Sequence, residues 1–167
     1  MSESTMESVQ LSAAARAELE KLAKRYPTRE ALMLPALWMV QREQGWISHE
    51  AMRHVAELLG VSPVRVYGVV SFYHMFHDRP PGRYNIQVCQ TLSCSLLGAE
   101  RILDHLKEKL GIGANEVTPD QRFMVQRVEC LGACEHAPVC QINDDFMFDL
   151  TTESLDRKIE ELSREPS

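Results

Sequence analysis

The chain has 167 residues, of which 44% are apolar and 25% charged, as in an ordinary soluble globular protein. This length predicts one domain, or one domain and a small second one. The longest mostly apolar stretch, residues 31–40, contains a proline and is far shorter than the roughly 20 residues that a membrane-spanning helix needs. We therefore expect no membrane insertion. Residues 1–10 are polar and lack the apolar core of a secretory signal, so a cytoplasmic location is expected.

The acidic residues and the cysteines are concentrated in the second half of the chain. Residues 1–80 hold nine Lys/Arg and nine Asp/Glu, whereas residues 81–167 hold nine and fifteen, so the net charge of −6 comes from the second half. Affinity for nucleic acid comes largely from basic side chains on phosphates, so no nucleic-acid partner is expected. All five cysteines lie in the same half. An odd number of cysteines in a cytoplasmic chain favours metal binding or redox chemistry over a disulfide framework.

Residues 11–79 have the spacing of a helical bundle, and residues 1–10 before them are expected to be a disordered tail. Apolar residues recur every three or four positions, between hydroxyl residues that favour helix starts and breakers that favour helix ends. Pro35 is tolerated only near a helix start, so the regular part of the second helix is expected to begin close to it. The predicted starts are Ser12, Thr28, Ser48 and Ser62, and the predicted ends are Tyr26, Gly45 and Gly60.

The fourth helix is expected to turn its apolar side chains towards the bundle core. The nearby aromatic group of Phe72, Tyr73 and Phe76, together with Met75, is also expected to lie in the bundle core. A core position is compatible with one side of the group facing a partner protein. The expected inward residues of the helix are Val66, Val69, Val70, Phe72 and Tyr73.

Residues 80–167 are expected to form a second domain, because the breaker-rich sequence DRPPG of residues 78–82 precedes a change of pattern. Alternating stretches predict strands, and helical spacing over Leu96–Leu110 predicts a helix that buries Leu97. Thr151 is expected to cap a last helix. The order β-α-β-β-β-α, or β-α-β-β-α if one short strand is lost, predicts a small sheet with helices packed on it. The predicted strands are residues 84–89, 123–128, 139–142 and 146–148, the last two flanking a turn at Asn143-Asp144-Asp145.

Four cysteines form two pairs, Cys89 with Cys94 and Cys130 with Cys134, and each pair begins where a predicted strand ends. Loops held by a rigid sheet can bring such side chains to one place. Structural zinc takes four-cysteine sites, and a [2Fe–2S] cluster takes two thiolates per iron, so the spacing leaves both open. Four packed cysteines without metal are the remaining alternative. Small or hydroxyl-bearing neighbours, which let backbone N–H groups approach the sulfurs, favour the cluster; they are Thr91, Ser93, Ser95, Gly98, Gly132 and Ala133.

Cys140 and His136 lie near the second pair but are not expected to be ligands. Cys134-Glu135-His136 matches the first half of a Rieske motif, C-x-H, but the second half, C-x-x-H, is missing after Cys140. His136 is therefore expected to be a loop residue near the cluster. Cys140 falls within a predicted strand and is expected to be a packed core thiol.

The two segments that contain the cysteines resemble a known family. CQTLSCSLLGAE (residues 89–100) and VECLGACEHAPVCQIND (residues 128–144) resemble the thioredoxin-like [2Fe–2S] ferredoxin subunit of NADH:quinone oxidoreductase, respiratory complex I, which is the E-type subunit of the bacterial complex. The resemblance continues through QREQGWIS, LGVSP and YGVVSFYHMF and covers about residues 15–160. It implies an α+β chain with an N-terminal α-helical bundle over residues 11–79 and a thioredoxin-like α/β domain over residues 80–167.

The resemblance also implies the site and the role. Carried over by position, Cys89 and Cys94 bind one iron of a single [2Fe–2S] cluster, and Cys130 and Cys134 bind the other. The implied role is that of a one-electron carrier in an NADH dehydrogenase, exchanging electrons with the flavin subunit that oxidises NADH and lying among other peripheral-arm subunits at the cytoplasmic face of the membrane. FMN and NADH are expected only on that partner, because this sequence has no Gly-rich dinucleotide fingerprint and no P-loop.

Three alternatives accompany this interpretation. The same type of subunit is similar to parts of NAD-linked hydrogenases and formate dehydrogenases. A zinc-stapled interaction module would also use four cysteines. Residues 49–73 have the outline of a helix-turn-helix, but a recognition helix needs exposed side chains that read base edges, and this one offers only Arg65.

Overall fold

The computed structural model describes residues 10–166, which divide into two compact units on either side of the Pro80–Pro81 bond. Helices and a sheet are both present, so the expected α+β class is confirmed. The predicted tail over residues 1–10 lies, apart from Gln10, outside the described residues. Between residues 10 and 166, no helix is long and apolar enough to cross a membrane.

The described part of the N-terminal unit contains four α-helices and a 3-10 turn. Ser12, Ser48 and Ser62 each accept a hydrogen bond from the backbone N–H three residues further on, so these predicted helix starts are confirmed. The helices are α1 (Ala13–Ala23), α2 (Met33–Gln44), α3 (His49–Leu59) and α4 (Pro63–Phe72), with the 3-10 turn at Arg29–Leu32.

The second helix begins later than the predicted start at Thr28. The chain first makes the 3-10 turn Arg29–Leu32, and α2 starts at Met33. Pro35 therefore falls in the first turn of α2, where its missing N–H breaks no helical hydrogen bond. Gly45 ends α2 in the left-handed region with a φ of 81°, which a glycine adopts without a steric cost.

The expectation that Phe72 and Tyr73 point into the core is wrong. Their side chains are 78% and 36% exposed, whereas those of Val66 and Val70 are buried. Val66 and Val70 lie four residues apart on one face, and successive helical residues are about 100° apart, so a side chain two positions after Val70 projects from the other side. Phe76 is buried after the helix, and Tyr73 contacts the rings of both phenylalanines.

The C-terminal unit is built around a sheet with the strand order β2-β3-β1-β4-β5. The central strand β1 pairs in parallel with β3 and antiparallel with β4, and the remaining pairs are antiparallel. The pattern of alternating residues predicted β1 and β3 with the bounds that the structure has, but it did not predict β2, which is two residues long. The strands are β1 (Tyr84–Cys89), β2 (Glu116–Val117), β3 (Phe123–Val128), β4 (Cys140–Ile142) and β5 (Asp145–Met147).

The helix predicted over residues 96–110 begins three residues later, at Ala99, and a separate short helix that was not predicted precedes it. A short helix α5 (Leu92–Leu96) comes directly after β1, and α6 (Ala99–Leu110) follows it. Gly98 separates the two with a φ of 104°, a conformation that interrupts a right-handed helix. Leu97 is exposed at this break, so its predicted burial is wrong.

The last helix, α7 (Thr152–Arg164), starts as predicted at Thr151, whose hydroxyl accepts from the N–H of Ser154. Helices α6 and α7 supply their apolar faces to one core, which they share with the alternate β1 residues Tyr84, Ile86 and Val88. This packing holds β1 rigidly and so determines where its last residue, Cys89, lies.

Candidate metal centre

The first cysteine pair lies where β1 passes into α5. Cys89 is the last residue of β1, and Cys94 lies within α5; both side chains are buried. Thr91 stands between them as the residue that precedes α5. Its hydroxyl oxygen lies 3.2 Å from the sulfur of Cys89.

The second pair lies in the loop that follows β3. Cys130 comes two residues after the strand, Cys134 begins the 3-10 turn Cys134–His136, and both cysteines are exposed. Gly132 has a φ of 80°, which lets the loop turn back on itself. The N–H of Gly132 donates to the sulfur of Cys130 across 3.3 Å.

The two loops leave the same edge of the sheet, because β1 and β3 are parallel neighbours with Cys89 paired to Val128. They also contact each other. The backbone N–H of Gln90, just after β1, donates to the carbonyl of Val128 across 3.0 Å, and the side-chain amide of Gln90 donates to the carboxylate of Glu129 across 3.1 Å. The structure thus brings the two predicted pairs to one end of the sheet.

The buried pair has opposite shifts of pKa. For Cys89, burial opposes the charged form, but hydrogen bonds from the Thr91 hydroxyl and from the backbone N–H groups of Leu131 and Thr91 together hold its pKa below the ordinary value. For Cys94, burial and the hydrogen-bonded neighbour Cys89 raise the pKa, while the N–H of Val139 acts in the other direction. The hydrogen-bond donors around Cys89 therefore favour its thiolate form, whereas the surroundings of Cys94 favour the neutral thiol.

The donor set suits an iron–sulfur cluster. All five cysteines are free thiols, and thiolates are the ligands that such clusters take. Between residues 10 and 166, no three Cys, His, Asp or Glu side chains lie close enough together to hold a single metal ion. A [2Fe–2S] cluster does not require such a group, since each iron takes two thiolates and bridging sulfides complete its coordination.

Cys140 is a core thiol, as predicted. It lies in β4 with 0% of its surface exposed, and burial raises its pKa to about 12. His136 is exposed in the 3-10 turn after Cys134, with its Nδ1 3.3 Å from Asp149 and its ring centroid 5.1 Å from that of Phe148. The structure thus gives His136 a carboxylate partner and an aromatic neighbour.

The contact of the Thr91 hydroxyl is the feature that sequence reasoning missed. The sequence places Thr91 only among the small or hydroxyl-bearing residues that let backbone donors approach the sulfurs. A threonine before a helix ordinarily caps that helix, and nothing in the spacing indicates that its hydroxyl would lie beside a cysteine two residues earlier.

The chain matches the thioredoxin-like [2Fe-2S] ferredoxin family over residues 19–163. It belongs to this family. The match confirms the resemblance drawn from the cysteine motifs, the thioredoxin-like fold and the [2Fe–2S] cofactor. It includes both units and all four predicted ligand positions.

Curated relatives of this chain are named as subunits of NADH-quinone oxidoreductase. A protein of Thermus thermophilus named NADH-quinone oxidoreductase subunit 2 is 51% identical over 129 residues, which cover 76% of this chain and 71% of the relative. A Rhizobium meliloti protein, named as an E-type subunit of NADH-quinone oxidoreductase, is 45% identical over 145 residues, or 87% of this chain and 86% of the relative. The relatives are thus subunits of one kind of oxidoreductase complex.

A solved structure extends the comparison. A chain of an NAD+-reducing [NiFe]-hydrogenase in the H2-reduced state superposes with a TM-score of 0.66 at 25% identity. The match covers 78% of this chain but only 22% of the hydrogenase chain. The fold is therefore shared with a segment of a larger redox protein.

Proposed function

We propose that Cys89 and Cys94 bind one iron of a [2Fe–2S] cluster and that Cys130 and Cys134 bind the other. The observation that carries this assignment is the parallel pairing of β1 with β3, which brings both cysteine pairs to one end of the sheet. The first pair comes from the junction of β1 with α5 and the second from the loop after β3, so each segment supplies one iron with its two thiolates. Cys140 is left out because it belongs to neither pair and lies within strand β4.

The chain's role is to carry one electron at a time. A [2Fe–2S] cluster supplies one-electron chemistry when it is bound. The N–H of Gly132 donates to the sulfur of Cys130 across 3.3 Å, and this sulfur gains negative charge on reduction. Such hydrogen bonds stabilise the reduced state and help to set the potential.

Electrons pass in and out on the side of the second pair. Cys130 and Cys134 are exposed, whereas Cys89 and Cys94 are buried. The exposed pair allows a redox partner to approach without any opening of the fold. The sheet and α6 close the other side with apolar side chains.

The assembly is an NADH:quinone oxidoreductase, in which this chain is the subunit of the E type. Relatives at 51% and 45% identity that carry names from this complex support the assignment. The direct partner is the flavin subunit that oxidises NADH, and both belong to the peripheral arm on the cytoplasmic side. Hydride transfer takes place on that partner, since this sequence has no dinucleotide fingerprint.

This role is tested by asking whether NADH reduces the cluster only when the flavin subunit is present. NADH added to the isolated, cluster-loaded chain should leave it oxidised, and NADH added with the flavin subunit should reduce it, as followed by its visible absorption. The Cys134→Ala variant serves as a control that should give no signal under either condition. Reduction of the isolated chain by NADH, or no reduction with the flavin subunit present, would contradict the proposal.

A second candidate is the equivalent part of an NAD+-reducing hydrogenase, which the superposition with a TM-score of 0.66 favours. Purification of the native chain with its neighbours separates the two. A complex that reduces quinone with NADH supports the first assignment, whereas a complex that reduces NAD+ with hydrogen gas supports the second.

A further inference from the structure

We propose that Thr91 is a positioning residue for the cluster, whose side-chain hydroxyl donates to the iron-bound sulfur of Cys89 and raises the reduction potential. This inference rests on the proposed function, because it requires Cys89 to be a ligand. It adds a side-chain contribution to the backbone donors described above.

The first observation is the direction of the hydroxyl. Thr91 precedes α5, and at that place a threonine usually accepts from a backbone N–H of its own helix. Ser12, Ser48, Ser62 and Thr151 all do so at the starts of α1, α3, α4 and α7. Within the described chain the Thr91 side chain makes no such cap, and its Oγ1 lies 3.2 Å from the Cys89 sulfur. The hydroxyl therefore contacts the sulfur of Cys89 instead of forming the usual capping hydrogen bond.

The second observation concerns which atom donates. In the free thiol, either the hydroxyl or the S–H can be the donor of this contact. A thiolate that binds iron has released its proton and has only lone pairs to offer. With iron bound, the Thr91 O–H is consequently the donor and Cys89 the acceptor. A hydrogen bond to a charged acceptor is stronger than one between neutral groups.

The third observation is that the hydroxyl is held in place. Cys89 is fixed at the end of the central strand β1, and its backbone N–H donates to the carbonyl of Val139 across 3.2 Å. The carbonyl of Thr91 accepts from the N–H of Ser95 across 2.9 Å, which anchors the backbone of Thr91 to α5. Both ends of the contact are therefore attached to rigid elements, and the hydroxyl needs no rearrangement when the sulfur gains charge.

The hydrogen bond from Thr91 should affect the reduction potential of the cluster. Reduction adds negative charge to the cluster and its thiolates, so a donor to Cys89 stabilises the reduced state more than the oxidised state. Removing the hydroxyl should make reduction harder. Thr91→Val keeps the shape of the side chain and removes only the donor, whereas Thr91→Ser keeps the donor.

The experiment is a reductive titration of the full-length, cluster-loaded chain without oxygen, followed by EPR. We expect Thr91→Val to lower the ratio of reduced to oxidised cluster about tenfold at a given applied potential, which corresponds to a shift of about 59 mV for a one-electron couple. Thr91→Ser should remain close to wild type. Ser95→Ala, which removes an exposed hydroxyl from the same short helix, is the matched control and should not shift the potential.

The outcomes separate this inference from the proposed function. An unchanged potential in Thr91→Val, or an equal shift in Thr91→Ser and Thr91→Val, would overturn the role of the hydroxyl while the cluster assignment stands. A wild-type chain without iron and sulfide would overturn both. Should Thr91→Val not retain its cluster, Thr91→Ala provides a smaller side chain without a donor, and the same negative shift is required of it.

Discussion

Cys140 pairs with Val88 across β4 and β1, one residue away from the candidate ligand Cys89, and the side chains of both cysteines belong to the same core. Hydrogen bonds nevertheless hold the pKa of Cys89 below its ordinary value. Burial raises the pKa of Cys140 to about 12, so its thiolate is disfavoured.

Replacing Cys140 by alanine should leave the visible spectrum of the cluster nearly unchanged, whereas replacing Cys134 by alanine should abolish the normal spectrum. The reason is that, of these two residues, only Cys134 belongs to the proposed ligand set. Absorption spectra of both variants, purified without oxygen, make the comparison. Loss of colour in Cys140→Ala with retained fold would show that the ligand set is wrong.

Gly82 lies where only a hydrogen atom fits. A Cβ at this position would come within 2.6 Å of the carbonyl carbon of Phe123 and 2.8 Å of the backbone nitrogen of Met124. Because backbone atoms cannot move aside cheaply, Gly82→Ala should lower the free energy of unfolding by about 1–3 kcal/mol. Urea unfolding followed by circular dichroism measures this change.

Gly68 provides the matched control for that variant. It lies within α4, and a Cβ there would meet nothing within 4 Å. Gly68→Ala should therefore be neutral or should stabilise by up to about 1 kcal/mol, since glycine is unfavourable in a helix. Equal losses in the two variants would contradict the argument from close approach.

The side chain of Gln41 holds the segment after α4. Its amide nitrogen donates to the carbonyl of Met75 across 2.8 Å, and its oxygen accepts from the N–H of His77, also across 2.8 Å. Gln41→Met keeps the length of the side chain but leaves two backbone groups without this partner. We expect a loss of about 1–3 kcal/mol in the free energy of unfolding.

Gln44, near the end of the same helix, is the comparison for Gln41. Gln44→Met changes the same chemical group at a less buried position and should cost less than about 0.5 kcal/mol. Thermal or urea unfolding of the two variants tests the difference. Equal effects would mean that the two hydrogen bonds of Gln41 do not matter.

Asp156 links α7 to α6 through Lys109 and His105, with distances of 2.8 Å to Lys109 Nζ and 2.7 Å to His105 Nε2. The hydrogen bond from Lys109, followed by that from His105, lowers the pKa of Asp156 below its ordinary value of 3.8. Because the folded state holds this carboxylate more strongly, its contribution is fully present above pH 3.8 and is lost as the pH falls through the folded pKa.

Asp156→Asn should thus lower stability near neutral pH, by less than about 1 kcal/mol because the groups are partly exposed. The difference from wild type should shrink only below the unfolded pKa, and added salt should reduce it. Urea unfolding at a series of pH values provides the test. A difference that disappears already near pH 6 would assign the effect to another group.

Local signals in the sequence were sufficient for most elements. Serine before an apolar helical repeat identified three helix starts, and alternation identified β1 and β3. Local signals were not sufficient where tertiary structure determines the bounds of an element. The break at Gly98 interrupts a helical pattern that continues through Leu97, and β2 has only two residues, too few to show a period.

The candidate site, too, could be predicted from the sequence only in part. Spacing identified the four cysteines, but their meeting depends on the parallel pairing of β1 with β3, which brings the two loops to one edge. Parallel partners are distant in sequence, so that pairing has no local signal. The hydroxyl of Thr91 is a further case, since its direction depends on where the end of β1 holds Cys89.

The measurement that tests the central claim most directly is the content of iron and acid-labile sulfide per chain, combined with an EPR spectrum of the dithionite-reduced protein prepared without oxygen. The account predicts about two irons and about two sulfides per chain, with a rhombic S = 1/2 signal from a one-electron reduced cluster. One zinc and no sulfide, or no metal even after reconstitution with iron and sulfide, would contradict it.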